Sequence, residues 1–374
     1  MYQNIFIDRK SELIHVWDDK VGKIEVPLKN VKYAYRKNDN GIYKSIYGDS
    51  LEKTYTFFPN DPSLFESDVP LDTRTLIDMY EDSDESSTGH TIMFYDIETS
   101  SEGGFPNVET ADKEITAIAL YDNISKKYTA YILDKESLLE NSLTEESEII
   151  SCIDEETLIK RFLNKINEIQ PTIWTGWNID GFDNPYLYRR IKRVLGQKQA
   201  ERLSPINKCY MNTYSDKLVI AGVSSLDYMS LYKKYNIKLE ASYALSAIGK
   251  KVVGMDKINY TGSLDNLYKT DIQKYIDYNL NDVKIVVALD EKLNFIEQAR
   301  QICHKGHVPY ECFGKSSRFI EGAILMYLRR KGQVAKNKPV YETSDNQVLD
   351  DDDGFEGAYV KDPITGRHEW VFDL

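Results

Sequence analysis

Two acidic residues interrupt an apolar run about a quarter of the way along this 374-residue chain. Residues 91–95 (TIMFY) have the pattern of a buried strand, and Asp96-Ile97-Glu98 continues it. Because successive strand residues point to opposite faces, Asp96 and Glu98 project together. Two such carboxylates repel each other unless a cation lies between them, and hard divalent ions prefer oxygen ligands. The pair therefore predicts either a metal site or two solvated acids at a strand end.

A second acidic cluster lies within residues 177–186 (WNIDGFDNPY). Asp183 comes just before a predicted helix, after a turn that Gly181 permits. This Asp is either a functional carboxylate or a helix cap. Asn178 can order the same loop or contact a phosphate or sugar, whereas Asp180 is expected in exposed loop.

The third cluster, residues 278–282 (YNLND), lies inside a long predicted helix. Tyr278 and Asp282 are four residues apart and therefore share one face of that helix. An Asp in mid-helix usually faces water, but strongly apolar residues follow this one, so Asp282 is expected near a buried seam. A phenol one turn from a metal-binding Asp can hydrogen-bond an attacking water.

The chain divides into four predicted parts. Residues 1–80 read as short strands with turns, and residues 81–90 (EDSDESSTGH) read as an acidic, Ser-rich linker. Residues 91–296 alternate strands with helices, and residues 297–374 form a helical and extended connection. The expected architecture is a mixed α/β sheet with flanking helices, plus a smaller strand-rich N-terminal domain.

Periodicity places the elements of the α/β part. Strands are expected around 115–121, 127–133 and 171–174, and a hairpin is expected at 211–221. Apolar residues at helical spacing from Leu158 to Ile169 predict an amphipathic helix. Asn184 and Pro185 predict the cap and first turn of a helix running to about Leu195, and a single long helix is expected from about 271 to 298.

Composition excludes some classes of function. A net charge of −13 argues against a passive DNA coat, which would usually be basic. It is compatible with an enzyme that holds phosphate where cations neutralise carboxylates. No apolar run approaches the roughly 20 residues of a membrane span. Four cysteines without framework spacing and an N-terminus without a signal predict a cytoplasmic protein.

The strings FYDIET, WNIDGFDNPYL and YIDYNLND resemble, in this order, the three exonuclease motifs of family B DNA polymerases. The resemblance implies a ribonuclease-H-like, four-carboxylate fold and a 3′→5′ exonuclease acting on single-stranded or primer-template DNA. It implies two Mg²⁺ ions, for which Mn²⁺ can substitute. The implied metal ligands are Asp96, Glu98, Asp183 and Asp282, Tyr278 would orient the water, and the candidate substrate contacts are Asn178, Phe182 and Tyr186.

Two strings near the end extend the resemblance toward the T4-like phage enzymes. Residues 355–360 (FEGAYV) are similar to the linker between exonuclease and polymerase sites, and residues 370–374 (WVFDL) to the opening of the first polymerase motif. We therefore expect that the polymerising half is missing, because the protein is split and has a separate polymerase chain, or because it is truncated. The alternatives are a free-standing exonuclease on short RNA or DNA and a non-catalytic nucleic-acid-binding subunit.

Overall fold

The computed structural model describes residues 1–58, 61–83 and 85–338. The strands are β1 (Tyr2–Asp8), β2 (Leu13–Asp18), β3 (Gly22–Pro27), β4 (Ala34–Lys37), β5 (Tyr43–Ser45), β6 (Ser50–Thr54), β7 (Ile92–Thr99), β8 (Ile115–Asp122), β9 (Tyr128–Leu133), β10 (Ser142–Leu143), β11 (Ser147–Cys152), β12 (Ile173–Gly176), β13 (Cys209–Met211), β14 (Leu218–Ile220), β15 (Ser224–Asp227) and β16 (Gln333–Val334). The helices are α1 (Leu28–Val31), α2 (Leu71–Tyr80), α3 (Glu155–Ile169), α4 (Asp183–Leu195), α5 (Gln197–Ala200), α6 (Tyr228–Tyr235), α7 (Leu245–Val253), α8 (Leu264–Thr270), α9 (Ile272–Leu293), α10 (Phe295–Gly306) and α11 (Ser316–Arg330).

A seven-stranded mixed sheet forms the centre of the fold, in the order β10-β11-β9-β8-β7-β12-β15. Strand β7 runs antiparallel to β8 and parallel to β12, and β15 extends the parallel side. This mixed sheet with flanking helices confirms the predicted α/β class and is consistent with a ribonuclease-H-like exonuclease domain.

Helices cover both faces of the sheet, so the alternation along β7 sends its side chains into two different environments. Tyr95 and Ile97 enter a core with Phe162 of α3 and Leu187 of α4. The opposite face packs against α9, which contacts β7, β8 and β9. Asp96 and Glu98 point to this second face, as their spacing predicted.

The N-terminal part contains two small sheets. Strands β1, β2 and β3 form an antiparallel meander, and the other sheet has the order β16-β5-β6-β4. Strand β16 comes from the far end of the described chain and pairs in parallel with β5, Val334 lying opposite Ser45. Residues Met1–Asn337 form one compact unit, which contains the predicted parts 1–80 and 91–296 and the beginning of the part 297–374. The division into domains stays a prediction.

The segment predicted as an acidic linker forms hydrogen bonds with other parts of the protein. Ser87 and His90 are buried, and the Ser87 hydroxyl lies 2.9 Å from Nε2 of His304 and 2.8 Å from the hydroxyl of Tyr310. Residue 84 lies outside the described residues. These polar contacts of Ser87 need partners from α10 and from the segment after it, which a composition argument does not reveal.

Two local predictions about helices are wrong. The long helix ends at Leu293, because Asn294 takes a left-handed conformation (φ 55°), and α10 begins at Phe295. The helix α4 begins at Asp183 rather than at a capping Asn184. The Asn184 side chain is buried and accepts from the Tyr95 hydroxyl at 2.6 Å instead.

Other local predictions are confirmed. The hairpin is present as β13 and β14, and α3 spans the predicted amphipathic helix. None of the helices in the described part of the chain has the length and apolar run that crossing a bilayer requires.

Candidate active site

Three carboxylates that are distant in sequence meet between β7 and α9. One side-chain oxygen from each of Asp96, Glu98 and Asp282 lies within 4.8 Å of the others. Ala119 and Ala117 lie opposite Asp96 and Glu98 on β8, and these small side chains leave room on the face toward α9. Oxygen donors in this number and spacing suit a hard divalent cation.

Asp183 stands beside this cluster rather than in it. It is the first residue of α4, it is buried, and its Oδ1 accepts the backbone N–H of Ile97 at 3.1 Å. Ile97 lies between the two acids of β7, so this hydrogen bond ties the start of α4 to the carboxylate strand. Gly176, the last residue of β12, permits the close approach of β12 to β7, since a Cβ at this position would lie 2.4 Å from the carbonyl oxygen of Tyr95.

The four acids are held where negative charge is unfavourable. Burial, followed by repulsion from Asp183 and Glu98, raises the pKa of Asp96 well above its usual range. Burial and then Asp282 raise the pKa of Glu98 to about 8. Burial raises the pKa of Asp183 to about 7, although the hydrogen bond from the backbone N–H of Ile97 lowers it. Burial also raises the pKa of Asp282, although Lys257 lowers it. These shifts indicate a site whose negative charge is not balanced by the positive charge nearby.

Lys257 is a functional candidate that the sequence analysis missed. Its Nζ donates to Oδ2 of Asp282 at 2.5 Å and lies 3.2 Å from the hydroxyl of Tyr278. Asp282 and then Tyr278 raise the pKa of Lys257 although burial opposes them, so the ammonium stays charged. Lys257 lies in the irregular segment between α7 and α8, where no periodicity marks a position as inward.

Tyr278 lies one turn before Asp282 on α9, as predicted, and is nearly buried. Its ring packs edge-on against Tyr260, with the ring centroids 5.4 Å apart. Burial and then Asp282 raise the pKa of Tyr278 to about 12, so the phenol is protonated at neutral pH. Its hydroxyl accepts from Lys257 and keeps its own proton available for donation.

The three predicted substrate contacts lie in different environments. Asn178 is exposed, in a left-handed conformation (φ 61°) at the turn that Gly181 closes by donating to its carbonyl at 3.0 Å. Phe182 is half-buried and stacks on Tyr186, with the centroids 5.2 Å apart. Tyr186 itself is fully buried, and its hydroxyl bonds to the backbone of Lys113. The burial of Tyr186 favours a supporting role beneath Phe182.

The arginines of α4 are engaged within the protein. Arg190 forms a buried ion pair with Glu155, and Arg189 pairs with Asp216 at 2.7 Å. Arg193 donates to the carbonyl of Thr110 at 3.0 Å. These arginines contact the loop before β8 and the hairpin, so their side chains are less available to a phosphate backbone.

Fold and site together define a carboxylate-type nuclease domain. Residues 63–248 match the family described as DNA polymerase family B, exonuclease domain. This chain carries the exonuclease portion of a family B DNA polymerase.

Individual relatives agree with that assignment. The chain is 30% identical over 315 residues to the DNA-directed DNA polymerase of Escherichia phage RB69, which is 76% of this chain and 34% of that protein. It is 29% identical over 310 residues to the DNA-directed DNA polymerase of Enterobacteria phage T4, covering 75% of this chain and 33% of the relative. A DNA polymerase of Pyrococcus horikoshii is 24% identical over 330 residues, or 83% of this chain and 24% of that protein. The chain thus spans about a third of the two phage relatives.

The strings predicted to lead into a polymerase site, at 355–360 and 370–374, lie outside the described residues.

Proposed function

We propose that this chain is a 3′→5′ exonuclease that removes nucleotides one at a time from the 3′ end of DNA. The observation that carries the proposal is the meeting of Asp96, Glu98 and Asp282, whose side-chain oxygens lie within 4.8 Å of one another although β7 and α9 are far apart in sequence. A fold stabilised by apolar burial gains nothing from bringing three carboxylates together, because their mutual repulsion opposes folding. A cation-dependent function accounts for this arrangement.

The donor set fits divalent metal ions. Asp96, Glu98 and Asp282 would hold one ion, and Asp183 would contribute beside them to a second; Mg²⁺ is the natural choice for carboxylate oxygens, with Mn²⁺ as a substitute. Oδ1 of Asp282 is buried without a hydrogen-bond partner among the described residues, so this oxygen is available as a ligand for a cation. When bound, such ions would stabilise the charge of the scissile phosphate and make a water more acidic.

The reaction itself is a hydrolysis. The oxygen of a water bonds to phosphorus while the bond from phosphorus to the 3′-oxygen of the preceding nucleotide breaks. One water proton ends on that 3′-oxygen, which gives a nucleoside 5′-monophosphate and a shortened strand with a 3′-hydroxyl. The protonated phenol of Tyr278 would orient the water by donating to it, and the ammonium of Lys257 would hold Tyr278 and Asp282 in place.

The strand end would be held by the turn beside Asp183. The half-buried ring of Phe182 offers a face on which a terminal base can stack, since base–aromatic stacking tolerates any base. The exposed Asn178 amide can hydrogen-bond a phosphate or sugar. A single-stranded or frayed end would be preferred, because a paired terminal nucleotide cannot reach enclosed carboxylates.

Proofreading during DNA replication is the role we propose for this activity. The phage relatives are DNA-directed DNA polymerases of which this chain spans about a third. A polymerising part, on a separate chain, would be the partner, and primer-template DNA the shared substrate. The place of action would be the cytoplasm.

The test is digestion of a 5′-labelled single-stranded DNA oligonucleotide by the purified chain, with Mg²⁺ or with chelator. We expect a ladder that shortens from the 3′ end, and no ladder with chelator or with Asp282→Ala. Asp277→Ala is the matched control, because Asp277 is an exposed Asp on the same helix. Absence of degradation by the folded wild-type chain would contradict the proposal and favour a binding subunit, and faster degradation of RNA than DNA would favour a free-standing ribonuclease.

A further inference from the structure

Asn279 is a buried amide whose hydrogen bonding is directed at one carboxylate of the site. It lies on α9 with 0% of its surface exposed, and its Nδ2 donates to Oδ2 of Asp96 at 2.7 Å. Its other polar atom, Oδ1, is buried and has no hydrogen-bond partner among the described residues. The amide therefore makes one side-chain hydrogen bond, and that bond is to Asp96.

Packing alone does not account for this residue. An amide placed in a core without full hydrogen bonding costs free energy that an apolar side chain of similar size would avoid. The neighbours of Asn279 on the helix, Ile276, Leu280 and Val283, are apolar and buried, so an apolar residue would fit the surroundings. The polar side chain is explained by what it does to Asp96.

The helix places Asn279 where it can act on the site as a whole. Asn279 and Asp282 are three residues apart and thus lie on one face of α9, while Asp96 lies on β7 opposite. A donor on Oδ2 fixes the rotation of the Asp96 carboxylate and with it the direction of Oδ1. It also offsets part of the repulsion that Asp183 and Glu98 exert on Asp96.

We infer that Asn279 is a positioning residue that orients the Asp96 carboxylate for a divalent cation held with Glu98 and Asp282. The inference rests on the proposed metal-dependent function and extends it to a residue that touches neither the cation nor the substrate. Loss of a residue that hydrogen-bonds a metal ligand commonly weakens metal binding by about 10–100-fold, and we expect the same for loss of Asn279.

The first measurement is calorimetric titration of the metal-free chain with MnCl₂, which reads binding without catalysis. Asn279→Leu keeps a similar side-chain volume and removes the donor, and Asn279→Ala removes the donor and the volume. We expect both variants to bind Mn²⁺ about 10–100-fold more weakly than the wild type. Gln273→Ala is the matched control, because it removes an exposed amide from the same helix, and we expect wild-type affinity.

A second measurement separates positioning from a general loss of structure. The Mg²⁺ concentration that gives half-maximal digestion is expected to rise in both Asn279 variants, while the KM for the oligonucleotide at saturating Mg²⁺ stays close to that of the wild type. Folded variants whose Mn²⁺ affinity lies within twofold of the wild type would overturn the inference and leave the exonuclease untouched. A wild-type chain that binds no Mn²⁺ would instead remove the metal site and the inference together.

Discussion

The ammonium of Lys257 lies 2.5 Å from Oδ2 of Asp282, so the site contains a fixed positive charge of its own. The same ammonium lies 3.2 Å from the hydroxyl of Tyr278. Lys257 thus links Tyr278 and Asp282, two residues of α9 at the site. A cation on a flexible side chain beside an acid cluster both neutralises it and orders it.

Lys257→Met is therefore expected to lower the rate of DNA digestion by about 10–100-fold at saturating Mg²⁺. The estimate corresponds to losing a hydrogen bond to a charged group, about 1.5–3 kcal/mol. Digestion rates of variant and wild type measure the effect. Lys250→Met serves as control, since Lys250 is an exposed lysine of α7 that lies 3.5 Å from the Asp256 carboxylate; equal rates for both variants would show that Lys257 has no special role.

The raised pKa values of the acids predict that the metal-free chain loses stability as pH rises. The pKa of Glu98 is about 8 and that of Asp183 about 7, so the folded chain holds protons that the unfolded chain releases near pH 4–5. Each such proton lowers the free energy of unfolding by about 1.4 kcal/mol for each unit that the pH rises, until the pH passes the pKa of the group in the folded chain. Between about pH 6.5 and 8.5 the melting temperature in chelator should fall.

Added Mg²⁺ should reverse this trend, because the ion binds the deprotonated carboxylates. The increase in melting temperature on adding Mg²⁺ is expected to be larger at about pH 8.5 than at about pH 6.5. Glu98→Gln should flatten the pH dependence in chelator, since it removes one raised carboxyl. A melting temperature in chelator that rises with pH in this range would contradict the proposed protonation of the acids.

Phe182→Ala is expected to weaken binding of a single-stranded 3′ end. Loss of one base–aromatic stack costs about 1–3 kcal/mol, so the KM for an oligonucleotide should rise by about 10-fold or more, with a smaller change in kcat. Steady-state digestion of a single-stranded substrate measures both constants. Phe58→Ala, a change at an 85% exposed phenylalanine in the N-terminal part, should leave them unchanged.

The ion pair between Glu155 of α3 and Arg190 of α4 is expected to stabilise the folded chain. Nε and a terminal nitrogen of Arg190 donate to the two Glu155 oxygens at 2.7 and 2.6 Å, and both side chains are buried. Glu155→Ala leaves a buried arginine unpaired and should lower the free energy of unfolding by about 3–5 kcal/mol. Urea denaturation measures the loss, and replacing both residues with Met should restore part of it.

Sequence reasoning predicts best where a short-range rule applies. The alternation along β7 places Asp96 and Glu98 on one face, and the four-residue spacing on α9 places Tyr278 with Asp282. The meeting of those two pairs depends on how α9 packs against the sheet. From the sequence, only the resemblance to the family motifs indicated that the two pairs belong to one site.

Other features have no local signal. Lys257 lies in an irregular segment, so nothing in its neighbourhood marks it as inward-facing. The break at Asn294 is hidden because apolar residues continue at helical spacing on both sides of it. The burial of Ser87 within an acidic stretch depends on His304 and Tyr310, which lie more than 200 residues away in the chain.

The pairing of β16 with β5 means that the polypeptide leaves the small N-terminal sheet and returns to it after the exonuclease part is complete. In topological terms, the residues between β6 and β16 form an insertion in this four-stranded sheet. A fragment that starts at residue 91 would therefore leave β16 without its neighbour, and it would strip Ile77 of α2 from Leu325 and Met326 of α11.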